Sequence, residues 1–204
     1  IKIWQNLGVT EIRECGREDN FWGPTGSEGP CGPTTEIYVD GIEIWNLVFN
    51  EYYARPDGTL EKLEIPGVDT GMGLERLAMV TGGAANIFET DLFQNGDDRV
   101  LADHARAVSF LIADGIHPDN KGAGYVLRRL LRRLLVKFDL EKIRSAITFS
   151  ITKYGDQYPE LKKVNIFEIV ERENNQFGAA LKLGLKELVK VSKLDGASAF
   201  KLYE

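Results

Sequence analysis

Residues 68–77, VDTGMGLERL, place an Asp, two Gly flanking a Met, and a Glu-Arg pair directly ahead of the apolar run at 77–80. Residues without a Cβ let backbone N–H groups approach a ligand closely, and the N-terminus of a helix favours anions. The same spacing suits an ordinary turn that starts a helix, with Asp69 as its N-cap. Gly71 and Gly73 lack the third Gly of a dinucleotide fingerprint, and no Lys-Ser/Thr pair follows, so neither nucleotide motif is spelled here. Ligand site and helix-starting turn both remain open at this point.

Upstream, TEIYVD (35–40) and EIWNLVFNEYY (43–53) are rich in β-branched and aromatic residues and predict strands. The second turns through RPDG (55–58) into TLEKLEI, a hairpin signal, so a small antiparallel sheet is expected. NFWGPTGSEGPCGP (20–33) is dense in Gly and Pro, which predicts a fixed loop anchored by Trp22. Downstream, composition shifts to helical patterns, predicting one domain over 1–95 and another over 96–204. Helices are expected at 98–115, with Gly115 closing the first, at 124–138 and at 166–193. The last carries a stripe through Ile166, Ile169, Val170, Phe177, Leu181, Leu185 and Leu188. The fold class is therefore α+β, with an all-α bundle after the sheet.

With 204 residues and 43% apolar content the chain can bury a sizeable core. No stretch reaches the roughly 18 uninterrupted apolar residues of a membrane span, and the N-terminal residues lack the charged-then-apolar-then-small pattern of a signal peptide, so a cytoplasmic protein is expected. The opening at Ile1 and the closing FKLYE predict a segment of a longer polypeptide. Cys15, Cys31, His104 and His117 are too few and scattered for a disulfide framework or structural zinc, and they are assigned no chemistry.

The net charge of -6 hides an asymmetry. Residues 117–144 hold eight Lys/Arg against three acids, a local +5 in a chain whose remainder carries -11. Within it, Arg128, Arg129, Arg132 and Arg133 stand at i, i+1, i+4 and i+5, which predicts one guanidinium band on a helix face. Such a band is either a solvated, salt-bridged face or a set of phosphate contacts. Asp69, with Trp22, Trp45 and Asn46 on other fixed elements, has the composition of a small pocket for an ammonium-bearing ligand.

Together DNFW (19–22), GPCGPTTEIYVD (29–40), EIWNLVFNEY (43–52), VDTGMGLERLAMV (68–80), LIADGIHPDNKGAGYVLRRLLRR (111–133) and LDGASAFKLYE (194–204) resemble the alanyl-tRNA synthetases, a class II aminoacyl-tRNA synthetase family. In that family GMGLER is motif 3 of the catalytic core. The resemblance implies the C-terminal half of the antiparallel-sheet core followed by a helical tRNA-recognition region. It implies activation of L-alanine by ATP with Mg2+ to alanyl-adenylate, then transfer to the 3′ end of tRNA(Ala). By this likeness Asp69 and Asn46 would hold the α-ammonium, while Trp22, Val48 and Gly71 close a methyl-sized pocket. Trp22, Ile44, Trp45, Asn46 and Gly73 would line the ATP site, with Arg76 on phosphate and adenine.

The likeness also makes the arginine band a contact for the tRNA acceptor stem. A G·U wobble pair would be read through its exposed 2-amino donor by acceptors on Asn120 and Glu204, the latter standing where the family commonly has Asp. Motifs 1 and 2 and the editing-domain zinc cluster are absent from this sequence, so the remaining synthetase is an expected partner, zinc is not expected, and the chain alone is expected to form no adenylate. The connection at 91–104 is short for the family. The alternative is a non-catalytic tRNA-binding module built on the arginine-rich helix.

Overall fold

A computed structural model describes residues 1–24, 26–94, 96–190 and 196. The architecture is α+β, and the chain divides into two compact units, Ile1–Ile87 and a second that begins at Phe88.

The first unit holds α1 (Lys2–Asn6), β1 (Phe21–Trp22), β2 (Gly29–Val39), β3 (Ile42–Ala54), β4 (Leu60–Met72) and α2 (Leu74–Gly82). The strands form one antiparallel sheet in the order β1-β2-β3-β4. Its turns follow local chemistry. Asp40 and Gly41 both take positive φ, 51° and 77°, the handedness that a two-residue hairpin requires. Between β3 and β4, the Gly58 N–H donates to Arg55 O at 2.9 Å, and Asp57 Oδ1 accepts from the Thr59 N–H at 2.9 Å. Arg55 and Glu61 then pair at 2.6 Å across the hairpin.

Two expectations change here. The Gly/Pro-rich stretch at 20–33 is not wholly a loop, because it supplies β1 and the start of β2. A bulge between Cys31 and Thr34 takes Gly32 and Pro33 out of the β2–β3 ladder and pairs them with Trp22 and Phe21. Pro33 has no N–H for a ladder, and a Cβ on Gly32 would stand 1.8 Å from Phe49 O, so this is where those two residues fit. The second change concerns 68–72. Asp69 and Gly71 sit in no turn, since β4 runs unbroken to Met72 and only Gly73 separates it from α2. Gly73 is the N-cap, without a side-chain cap bond, so Asp69 does not cap that helix.

The second unit holds α3 (Arg99–Ala113), α4 (Gly122–Lys137), α5 (Leu140–Tyr154) and α6 (Ile166–Val189). Side-chain caps start three of them: Asp98 accepts from the Val100 N–H, Asp139 from the Lys142 N–H and Asn165 from the Glu168 N–H. Gly115, at φ 84°, follows the end of α3 in the left-handed conformation expected of a helix stop. α5 is a further helix, beyond those expected at 98–115, 124–138 and 166–193. α3 packs against α4, α5 and α6, and α4 against α6. The core joins Val108 and Ile112, Leu127 and Leu131, Ile143 and Ile147, and Ile166 and Val170. On α6 the buried side chains end at Glu173, and the continuing stripe is open, with Leu181 at 49% and Leu185 at 53% exposure. No described helix is long and apolar enough to cross a membrane.

Candidate functional site

β3 sorts the sheet's side chains by parity, since successive residues of a strand point to opposite faces and directly paired residues share a face. Asn46 lies between Glu36 on β2 and Gly71 on β4, and Val48 lies between Thr34 and Asp69. Asn50 faces Gly67. Ile44, Asn46, Val48 and Asn50 therefore share a face with Asp69, which stands between two glycines at alternate positions of β4. Neighbouring strands are about 4.8 Å apart and same-face residues about 7 Å apart along a strand, so Asn46, Val48, Asp69 and Gly71 form one compact quartet.

The chemistry of this face is that of an acceptor site. The Asn46 carboxamide donates through Nδ2 to Glu36 Oε1 at 3.3 Å, and its Oδ1 is buried with no donor among the described residues. Asn50 Oδ1 is likewise buried and unpartnered. Glu36 also accepts from the Tyr38 hydroxyl at 2.7 Å, and that bond holds the Tyr38 pKa above its ordinary value. Gly67 and Gly71 put no side chain over the two Asn residues, and a Cβ at either would meet nothing within 4 Å. Val48, 9% exposed, gives the face an apolar floor beside exposed Asp69. Carboxylate, orphaned carboxamide oxygens and a small aliphatic wall suit a compact ligand with an ammonium group.

The other predicted residues are distributed around this quartet. Trp45 projects from the opposite face, where its indole N–H donates to Thr70 Oγ1. Trp22 is on β1, at the far edge of the sheet from β4, and is 38% exposed. Gly73 donates its N–H to Ile44 O at 3.0 Å. Arg76, on the first turn of α2, donates to Glu43 O at 3.0 Å and to Glu43 Oε2 at 3.2 Å, which fixes its guanidinium beside the start of β3 while leaving it half exposed. Glu36 and Thr34 join this face without a local sequence signal that marks them as site residues. Their alternation was visible, but the register that sets them opposite Asn46 and Val48 was not.

In the second unit the expected single arginine band splits into two columns. Arg132 donates through Nε to Glu173 Oε1 at 2.7 Å and lies over the Phe177 ring at 5.1 Å, tying α4 to α6. Arg128 donates to Asn120 Oδ1. Arg129 and Arg133 face outward, Arg129 stacking over Tyr125 at 5.7 Å, and no described carboxylate pairs with either. Asn120 is held in a tight loop by its own N–H on Asp119 Oδ1, while the Asp119 N–H donates to Gly124 O at 3.1 Å. Gly124 is buried there, and a Cβ would lie 2.5 Å from His117 O. Glu204 lies outside the described residues.

Comparison with known proteins agrees with the family resemblance. A family model described as tRNA synthetases class II (A) matches residues 1–98 and 94–204. The alanine–tRNA ligase of Idiomarina loihiensis is 38% identical over 99% of this chain and 29% of the relative. That of Legionella pneumophila (strain Lens) is 40% identical over 99% and 29%, and that of Dehalococcoides mccartyi (strain CBDB1) 36% over 100% and 30%. The chain thus spans under a third of the length of these curated relatives. The alignment with the Idiomarina protein has 253 positions against 204 residues here, so at least 49 of its positions have no counterpart. The two matched stretches meet at 94–98, inside the connection that looked short. With the family model covering essentially the whole sequence, the chain belongs to the class II tRNA synthetases of the alanyl type, tRNA synthetases class II (A).

Proposed function

We propose that the polypeptide carrying this chain is an alanine–tRNA ligase, and that the unit Ile1–Ile87 supplies the amino-acid pocket and part of the ATP site of its catalytic core. The observation that carries the reading is the quartet Asn46, Val48, Asp69 and Gly71 on one face of β3 and β4. Asp69 and Asn46 would take the α-ammonium of L-alanine, with Val48 and Gly71 leaving room for a methyl group. Arg76, half exposed beside Glu43, would meet phosphate and adenine near Gly73 and Ile44, with Trp22 as a further wall. Catalysis would then consist of holding the alanine carboxylate in line with the α-phosphorus and offsetting the charge that develops there. Mg2+ accompanies ATP. Among the described residues no three His, Cys, Asp or Glu side chains are grouped to hold a metal.

β4 ends the sheet on one side, and Ile65 and Val68 on it are 85% and 61% exposed. A 13-residue edge strand with exposed apolar groups is a natural place for further strands of the core to pair, so the rest of the ligase would complete the site along this edge.

The unit beginning at Phe88 would contact the tRNA(Ala) acceptor stem, with Arg129 and Arg133 on phosphates. Asn120 would read the minor groove through the second lone pair of Oδ1, the first being engaged by Arg128. The reading is tested by Asp69→Ala in the full-length ligase: alanine-dependent ATP–pyrophosphate exchange should fall at least a hundredfold with the fold intact, as for loss of a charged partner worth about 3 kcal/mol. Unchanged exchange would refute it.

A further inference from the structure

A carboxamide serves an ammonium ion only through its oxygen, because the NH2 end donates and an ammonium group cannot accept. What Asn46 can bind therefore depends on which way its amide is turned, and a neighbouring residue decides that. Glu36, directly opposite Asn46 across the β2–β3 ladder, takes the Nδ2 donor on Oε1. A carboxylate only accepts, so a reversed Asn46 amide would set oxygen against oxygen. The permitted orientation leaves Oδ1 turned away from Glu36, buried and with no donor among the described residues. The place beside it on β4 is Gly71, where even a Cβ would touch nothing. Glu36 is itself braced, its second oxygen accepting from the Tyr38 hydroxyl.

We propose that Glu36, steadied by Tyr38, is a positioning residue for the amino-acid site: it locks the Asn46 carboxamide with its oxygen presented to the α-ammonium of the substrate. This rests on the assignment of Asn46 and Asp69 as the ammonium site. Two consequences follow. Glu36 acts through Asn46, so removing both costs little more than removing Asn46. The effect also falls on the amino acid and not on ATP.

The test is a double-mutant cycle in the full-length ligase, read by L-alanine-dependent ATP–pyrophosphate exchange. Glu36→Met removes the acceptor and keeps the volume. It should raise KM for alanine about tenfold, the scale of one hydrogen bond to a charged group, with KM for ATP and the melting temperature kept. In an Asn46→Ala background the same change should add less than about twofold. An equal tenfold loss in that background would show that Glu36 works independently of Asn46 and would overturn the proposal. So would an unchanged KM in Glu36→Met where Asn46→Ala raises it. If Asn46→Ala and Asp69→Ala both leave alanine KM alone, the ammonium-site assignment fails first and this proposal with it. Should Glu36→Met not fold, Tyr38→Phe removes only the brace at a residue 55% exposed and should raise alanine KM about threefold, a few tenths of a kcal/mol beyond a twofold change. No rise there would also refute the role.

Discussion

Replacing Arg132 by Met separates the arginine that ties α4 to α6 from those that face outward. Glu173 is 3% exposed and Arg132 38%, so the change strands a carboxylate in the interior. Breaking a fully buried pair from one side costs about 3–5 kcal/mol, and with the guanidinium more than a third exposed solvent screening reduces this to about 2–3 kcal/mol. Met retains most of the aliphatic stem over Phe177, so little of the loss is packing. For a unit of roughly 100 residues, 2–3 kcal/mol corresponds to a fall of about 8–12 °C in melting temperature. The assay is thermal unfolding of the chain followed by far-ultraviolet circular dichroism. The companion Arg132→Met/Glu173→Leu, which removes both charges, should recover most of the loss. A shift under about 2 °C in the single variant, or a double variant no better than the single, would mean that this pair does not hold α4 to α6.

Arg129→Ala and Arg133→Ala should each weaken binding of an RNA hairpin copying an acceptor stem and flatten the log–log salt dependence by about 1. Folded Arg132→Met should keep the native slope, and an equal flattening by all three would restore the single-band reading. A pH dependence of stability is expected from Asp97. Its Oδ2 is buried with no donor among the described residues, and burial holds its carboxyl above the ordinary value. A raised folded value adds stability below the unfolded value near pH 4 and loses it as pH rises through the folded one. Asp97→Asn should therefore melt higher than the native chain at pH 7 and no higher at about pH 3.5, and a gain that persists at low pH would contradict this.

Much of this was legible in the sequence, and the misses share a cause. α3, α4 and the first half of α6 announce themselves by apolar residues at helical spacing, to which the structure adds Asp98 and Asn165 as caps. α5 is quieter because its buried face includes Ser150 and Ala146, the Ser hydroxyl satisfied by Ala146 O at 3.1 Å, so the apolar period is diluted. β4 extends through Asp69 and Gly71, residues of low strand preference on either side of Thr70, because Val48, Leu47 and Asn46 of β3 pair with the three in turn. The arginine band divides because Arg132's partner is 41 residues away, and Glu36 joins Asn46 through a register that no local pattern encodes.

That parity also bears on how such a chain can be shortened. At least 49 positions of a relative find no counterpart here, yet the β3 rows are whole. Deleting one residue between Ile44 and Asn50 would carry Asn46 or Val48 through the sheet and bring Trp45 or Leu47 out on the side of Asp69, exchanging a polar lining for an aromatic one. Length can be trimmed at turns, as the two-residue turn at Asp40 and Gly41 illustrates, but within β3 only in even steps, and even those would slide Asn46 away from Glu36.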